Sequence, residues 1–181
     1  DLIDLIKHYI DMKYRKSDFN LSEILSQIGS TNLEIFELLM NNMDQPYKKR
    51  MIGCINEAIM KGNIPLVDYL LKEDAPLDDA LLSAVKKNDF KLVEKILEKK
   101  SDTLYINKMT KNGTALYQAV QNNSIQIVKK LLSIPGINPS LFYEKYKTPL
   151  VLAASQCSSF IFNLILDFYG PKIKQEKIQI Q

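Results

Sequence analysis

The run Gly113-Thr114-Ala115-Leu116-Tyr117-Gln118-Ala119-Val120-Gln121-Asn122-Asn123-Ser124-Ile125-Gln126-Ile127-Val128-Lys129-Lys130-Leu131-Leu132 decides how this chain folds. It contains two apolar patterns divided by the polar stretch Gln121 to Ser124. Before the divide, Leu116 and Ala119 are three residues apart, one turn of a helix. After it, the pairs Ile127-Val128 and Leu131-Leu132 are four apart, which lays one apolar stripe along one helix face. Asn tolerates left-handed backbone, and Asn and Ser cap helix starts, so the divide reads as a stop and a restart. The run predicts a short helix, a tight turn and a longer helix.

The same arrangement recurs along the chain. With Ala119 as a mark, Ala58, Ala84 and Ala153 are its equivalents, spaced 26, 35 and 34 residues apart. Three residues before each mark stands an aliphatic: Ile55, Leu81, Leu116, Leu150. Eight and nine after each stand Leu66-Val67, Leu92-Val93, Ile127-Val128 and Ile161-Phe162. Four further on are Leu70-Leu71, Ile96-Leu97, Leu131-Leu132 and Ile165-Leu166. Repetition at this period signals stacked supersecondary units, and the expected fold is an all-α solenoid. Alanine suits the mark because neighbouring inner helices approach closely only over a methyl group. An earlier, degenerate unit carries Ile24, Ile35-Phe36 and Leu39-Met40, with Gln27 in the mark position.

Residues 1–20 are expected to form a helix that caps the array or belongs to a truncated repeat. After it come a degenerate repeat (21–52), a short repeat (53–77), three repeats at 78–112, 113–145 and 146–170, and a tail at 171–181. The two long intervals leave room for a hairpin finger, whereas Leu71 to Asp78 leaves room for a turn only.

Helix–turn–helix units joined in this way resemble the ankyrin repeat. The resemblance is carried by Gly113-Thr114-Ala115-Leu116-Tyr117-Gln118-Ala119 and Thr148-Pro149-Leu150-Val151-Leu152-Ala153, which are similar to the family's Thr-Pro-Leu-His-x-Ala opening. Ile125 to Leu132 is similar to its second helix, and Ile106-Asn107 and Gly136-Ile137-Asn138 to the lead into its fingers. The family histidine is absent: Asn56, Leu82, Tyr117 and Val151 hold its position. The resemblance implies an array of about four to five units and a non-enzymatic module that binds another protein through a concave face.

Composition fits that reading. The chain has 181 residues, 46% hydrophobic and 25% charged, with a formal net charge of +3. No apolar run is long enough for a membrane helix, so no membrane insertion is expected. The chain opens on Asp1 without a leader pattern, and a cytoplasmic (intracellular) setting is expected. The absent initiator Met suggests a cut-out of a longer protein. One histidine, His8, in a terminal helix leaves nothing from which to build a Ser–His or Cys–His pair. Cys54 and Cys157 read as separate reduced thiols, without zinc-type spacing. No phosphate loop occurs, and no enzyme, cofactor, metal or small-molecule substrate is expected. The clusters Lys13-Tyr14-Arg15-Lys16 and Tyr47-Lys48-Lys49-Arg50 read as solvated helix ends, so no nucleic acid is expected.

What remains is surface. The inner-helix ends present Met60, Lys61, Lys86, Lys87, Gln121, Asn122, Ser155 and Gln156. The fingers present Met109, Lys111 and Asn112, then Tyr143, Lys145 and Tyr146. Residues 1–104 hold 15 Lys/Arg against 18 Asp/Glu, and residues 105–181 hold 9 against 3, that is −3 and +6. This asymmetry points to a partner protein with an acidic segment meeting the C-terminal half. Two other readings stay open: a targeting or scaffold region of a larger protein whose catalytic domain lies outside this chain, and a self-associating scaffold.

Overall fold

The computed structural model describes residues 8, 33–42, 54–73, 75, 77, 79–141, 143, 147–156 and 158–178, of which Leu39, Asn42 and residues 171–178 are described by their backbone alone. All the regular structure among them is helical. The chain divides into two compact units, residues 1–80 and 81–181. The degenerate positions Ile24 and Gln27, both basic clusters and Cys157 lie outside the described residues.

In the first unit, α1 (Leu33–Asn42) precedes the helix pair α2 (Ile55–Lys61) and α3 (Ile64–Lys72). Phe36 and Met40 of α1 are buried, as the repeat pattern requires of the degenerate unit. The Phe36 ring meets Tyr69 of α3 edge to face, with centroids 5.9 Å apart. Gly62 ends α2 in the left-handed region at φ 75°. Asn63 then starts α3, its side chain accepting the Leu66 N–H at 3.2 Å. His8 is exposed in a helical turn.

The second unit opens with α4 (Ala80–Lys86) and α5 (Phe90–Lys99), followed by the four-residue α6 (Thr103–Ile106). Next come α7 (Ala115–Gln121) with α8 (Ile125–Leu132), and α9 (Pro149–Ser155) with α10 (Ser159–Ile178). Inner helix α7 packs on α9, while outer helices α5, α8 and α10 pack in sequence. Ala58, Ala84, Ala119 and Ala153 are all 0% exposed, so the methyl-sized slot inferred from the register is buried in each of the four repeats that carry the alanine mark.

The opening threonines have a local cause. Thr114 Oγ1 accepts the Tyr117 N–H at 3.1 Å, and Thr148 Oγ1 accepts the Val151 N–H at 3.2 Å, so each caps an inner helix. Asp89 caps α5 through the Leu92 N–H at 3.0 Å. Two features depart from the sequence reading. The first long interval is partly helical, because Asp102 caps α6 through the Tyr105 N–H at 2.9 Å. The hairpins are also short: each rests on a single bridge, Thr110 with Gly113 and Tyr143 with Lys147.

Candidate protein-binding surface

The surface is built by hydrogen bonds that tie one repeat to the next at the ends of the inner helices. The Asn122 side-chain amide donates to the Val85 carbonyl at 2.9 Å. One repeat later, the longer Gln156 donates to the Gln121 carbonyl at 3.1 Å. These bonds set three inner-helix ends of the second unit side by side. Below them runs a second row: Ser124 Oγ bonds to Asn88 Oδ1, and Ser158 Oγ to Asn123 Oδ1 at 2.8 Å.

Asn88 and Asn123 have φ of 55° and 54° and occupy the register position of Gly62. Asparagine therefore does two things there. It accepts the left-handed turn, and it offers an acceptor to the next repeat.

At the base of the first finger, Asn107 reaches across to the following repeat. Its Nδ2 donates to the Gly136 carbonyl and its Oδ1 accepts the Asn138 N–H, both at 2.8 Å. The Tyr105 hydroxyl accepts the Leu81 N–H at 3.1 Å, closing the finger base onto the start of α4. Lys100 lies over the Tyr105 ring, 4.9 Å from its centroid. At the family histidine position, Tyr117 packs against Tyr143 of the next finger with centroids 5.2 Å apart. An aromatic contact at that position thus joins inner helix α7 to the finger that follows it.

The expected contact residues fall into four groups. Lys86, Lys87, Lys111, Gln121, Ser155 and Gln156 are exposed, and Met109 is 44% exposed at the finger. Asn112, Asn122 and Tyr143 are half-buried. Asn122 is held by Val85 and also accepts from Gln118 Nε2 at 3.4 Å, while Gln118 Nε2 reaches Gln121 Oε1 at 2.8 Å. Met60 (46% exposed) and Lys61 belong to the first unit. Lys145 and Tyr146 lie outside the described residues.

Sequence reasoning missed Asn107, Asn88 and Asn123 as organisers of this surface. The signal for Asn88 and Asn123 is the recurrence of Asn four residues after the alanine mark; Asn107 does not recur in this way. Cys54 is buried at the start of α2, and burial pushes its thiol from 9.0 up to about 12. No group of metal-binding side chains is assembled among the described residues. No described helix is long and apolar enough to cross a membrane.

A stack of helix–turn–helix units with short hairpin connections and a laced row of inner-helix ends defines a helical repeat module. The family profile described as Ankyrin repeats (3 copies) matches residues 55–143 and, in an overlapping placement, 81–177, more than half of the chain. The chain belongs to the ankyrin-repeat family. Proteins of this family are generally protein–protein interaction modules and are typically non-catalytic. None of the curated proteins matches the chain.

Proposed function

We propose that the chain is a non-enzymatic binding module that takes an acidic protein segment across the inner-helix ends and finger of its second unit. The observation that carries this reading is the lacing of Asn122 to Val85 and Gln156 to Gln121. It holds Lys86 and Lys87 beside Gln121 and Gln156 on a backbone that does not have to be ordered on binding. Lys111 and Met109 extend the exposed row onto the finger. Rim lysines steer an acidic partner, Met109 supplies adaptable apolar contact, and the half-buried Tyr143 supplies contact area at low entropy cost. The +6 balance of residues 105–181 supports the same choice of partner.

A display library of protein fragments, panned on the whole chain, tests the reading. Acidic segments with an apolar or aromatic residue should be enriched. Their amide shift changes should centre on Lys86, Lys87, Met109, Lys111 and Gln121. The double variant Lys86→Glu, Lys111→Glu should slow association and flatten its salt dependence, with helical content unchanged. Enrichment of basic segments, or shifts confined to the outer helices α5 and α8, would reject it. So would a preference for nucleic acid over any peptide.

A further inference from the structure

We infer that Gln118, Gln121 and Gln156 form a main-chain recognition site, which takes the backbone of a partner segment in extended form. The inference rests on the proposed segment-binding face and goes further, in naming which groups of the segment are read. It follows from an accounting of carboxamides. Each Asn or Gln side chain brings one acceptor oxygen and one donor nitrogen. Asn122 uses both: its Nδ2 donates to the Val85 carbonyl at 2.9 Å, and its Oδ1 accepts from Gln118 Nε2 at 3.4 Å. Gln118 Nε2 also donates to Gln121 Oε1 at 2.8 Å, and Gln156 Nε2 donates to the Gln121 carbonyl at 3.1 Å. These bonds fix which end of each carboxamide is occupied. Gln121 Nε2, Gln156 Oε1 and Gln118 Oε1 are left without a partner among the described residues.

The leftover groups have an order. Gln121 is bonded to Gln118 on one side and to Gln156 on the other, so one free donor stands between two free acceptors. Gln121 and Gln156 are exposed, whereas Gln118 is 9% exposed. Water reaches the Gln118 oxygen poorly, and a donor brought by a partner gains most there. An extended chain supplies the matching order. In a strand, the N–H and C=O of one residue lie on the same edge, and those of the next residue lie on the opposite edge. One edge therefore reads N–H, C=O, and then N–H two residues on. Gln156 Oε1 accepts the first, Gln121 Nε2 donates to the second, and Gln118 Oε1 accepts the third. A helical segment has no such edge, because its interior N–H and C=O groups bond to one another.

The probe is the segment most enriched on the whole chain by fragment display. It is synthesised as the parent peptide and as a series in which each main-chain N–H in turn becomes an ester oxygen. Whether that segment is acidic is read from its sequence, so a failure of the acidic reading and a failure of this inference show separately. Two ester positions, two residues apart, should each weaken binding about three- to tenfold. Gln156→Met should weaken the parent by a similar factor and make one of those two positions silent. That silencing separates recognition from a structural role, since untying the Gln121 carbonyl alone would weaken parent and esters alike. Gln121→Met should weaken the parent while both ester positions stay sensitive. Gln126→Met, exposed on α8, should change nothing, and circular dichroism should be the same for all variants. A flat ester scan overturns the inference. So do sensitivity at adjacent residues, two sensitive positions that both persist in Gln156→Met, displacement of the segment by oligoadenylate, or the absence of any enriched segment.

Discussion

Ser158 Oγ donates a hydrogen bond to Asn123 Oδ1 across 2.8 Å, and Ser124 bonds to Asn88 at the same register positions one repeat earlier. Each asparagine sits at positive φ, so one residue shapes the turn of its own repeat and fastens the turn of the next. The two roles can be separated by substitution. Asn123→Gly keeps the left-handed turn and loses the bond, which should cost about 0.5–1.5 kcal/mol. Asn123→Ala loses the bond and also strains the backbone, roughly 1–2 kcal/mol beyond the glycine variant. Urea unfolding of the three proteins should rank native above Gly above Ala. An alanine variant as stable as the glycine one would remove the turn requirement.

The alanine register makes a second prediction. Ala119 is 0% exposed between packed inner helices, so Ala119→Leu should destabilise by about 1–3 kcal/mol through overpacking. Gln126 on α8 is exposed, and Gln126→Leu is the proper control, expected within about 0.5 kcal/mol of native. Gln121, nearer in sequence, is a poorer control because its Oε1 accepts from Gln118. Equal costs at positions 119 and 126 would contradict the close approach.

Cys54 gives a pH dependence with a definite sign. Burial is the main cause of its raised pKa, and the charge of Glu57 adds in the same direction. An unfolded thiol ionises near 9.0, while the folded one keeps its proton up to about 12. Below 9.0 both states are protonated and the contribution is constant. As pH rises from there toward 12, the unfolded chain gives up a proton that the folded chain holds, and stability falls. Cys54→Ala should remove that part of the loss, so the gap between the two proteins' unfolding free energies should change between about pH 8 and about pH 10.5. Native Cys54 should also resist thiol reagents at about pH 8 until urea unfolds the chain.

The buried side of the array was legible in sequence because its constraint is local. A methyl at the mark and aliphatic pairs four apart follow from helix geometry alone, and Ala58, Ala84, Ala119 and Ala153 are buried accordingly. Periodicity names a face without saying whether a neighbour covers it. Ile161-Phe162 and Ile165-Leu166 follow the same pattern as Leu92-Val93 and Ile96-Leu97, yet Leu166 is open to solvent. The lacing was not legible for a different reason. Asn107, Asn122 and Gln156 bond to backbone 29 to 37 residues away, so their partners depend on the stacking offset between repeats. In sequence Asn122 and Gln156 read as turn and contact surface, with nothing to mark them as ties between repeats. Four-residue α6 escaped because it is too short to show a period.

Gly62 and Gly113 allow the backbone and packing costs of a turn to be told apart. Both have positive φ, 75° and 87°, which strains most side chains. A Cβ at Gly62 would meet nothing within 4 Å. One at Gly113 would lie 2.8 Å from Tyr117 Cδ1 and 3.2 Å from its Cβ. The near end of that side chain cannot swing away, and its ring is held by Tyr143. Asparagine already occupies the Gly62 register position at Asn88 and Asn123, with φ near that of Gly62. Gly62→Asn should therefore stay within about 0.5 kcal/mol of native, since Asn is among the residues that adopt this region. Gly113→Asn should cost about 1–3 kcal/mol, because the added atoms force the Tyr117–Tyr143 contact apart. Tyrosine fluorescence would report that separation independently of stability. Equal stability of the two asparagine variants would mean that Tyr117 yields freely, and that the aromatic contact does not fix the finger.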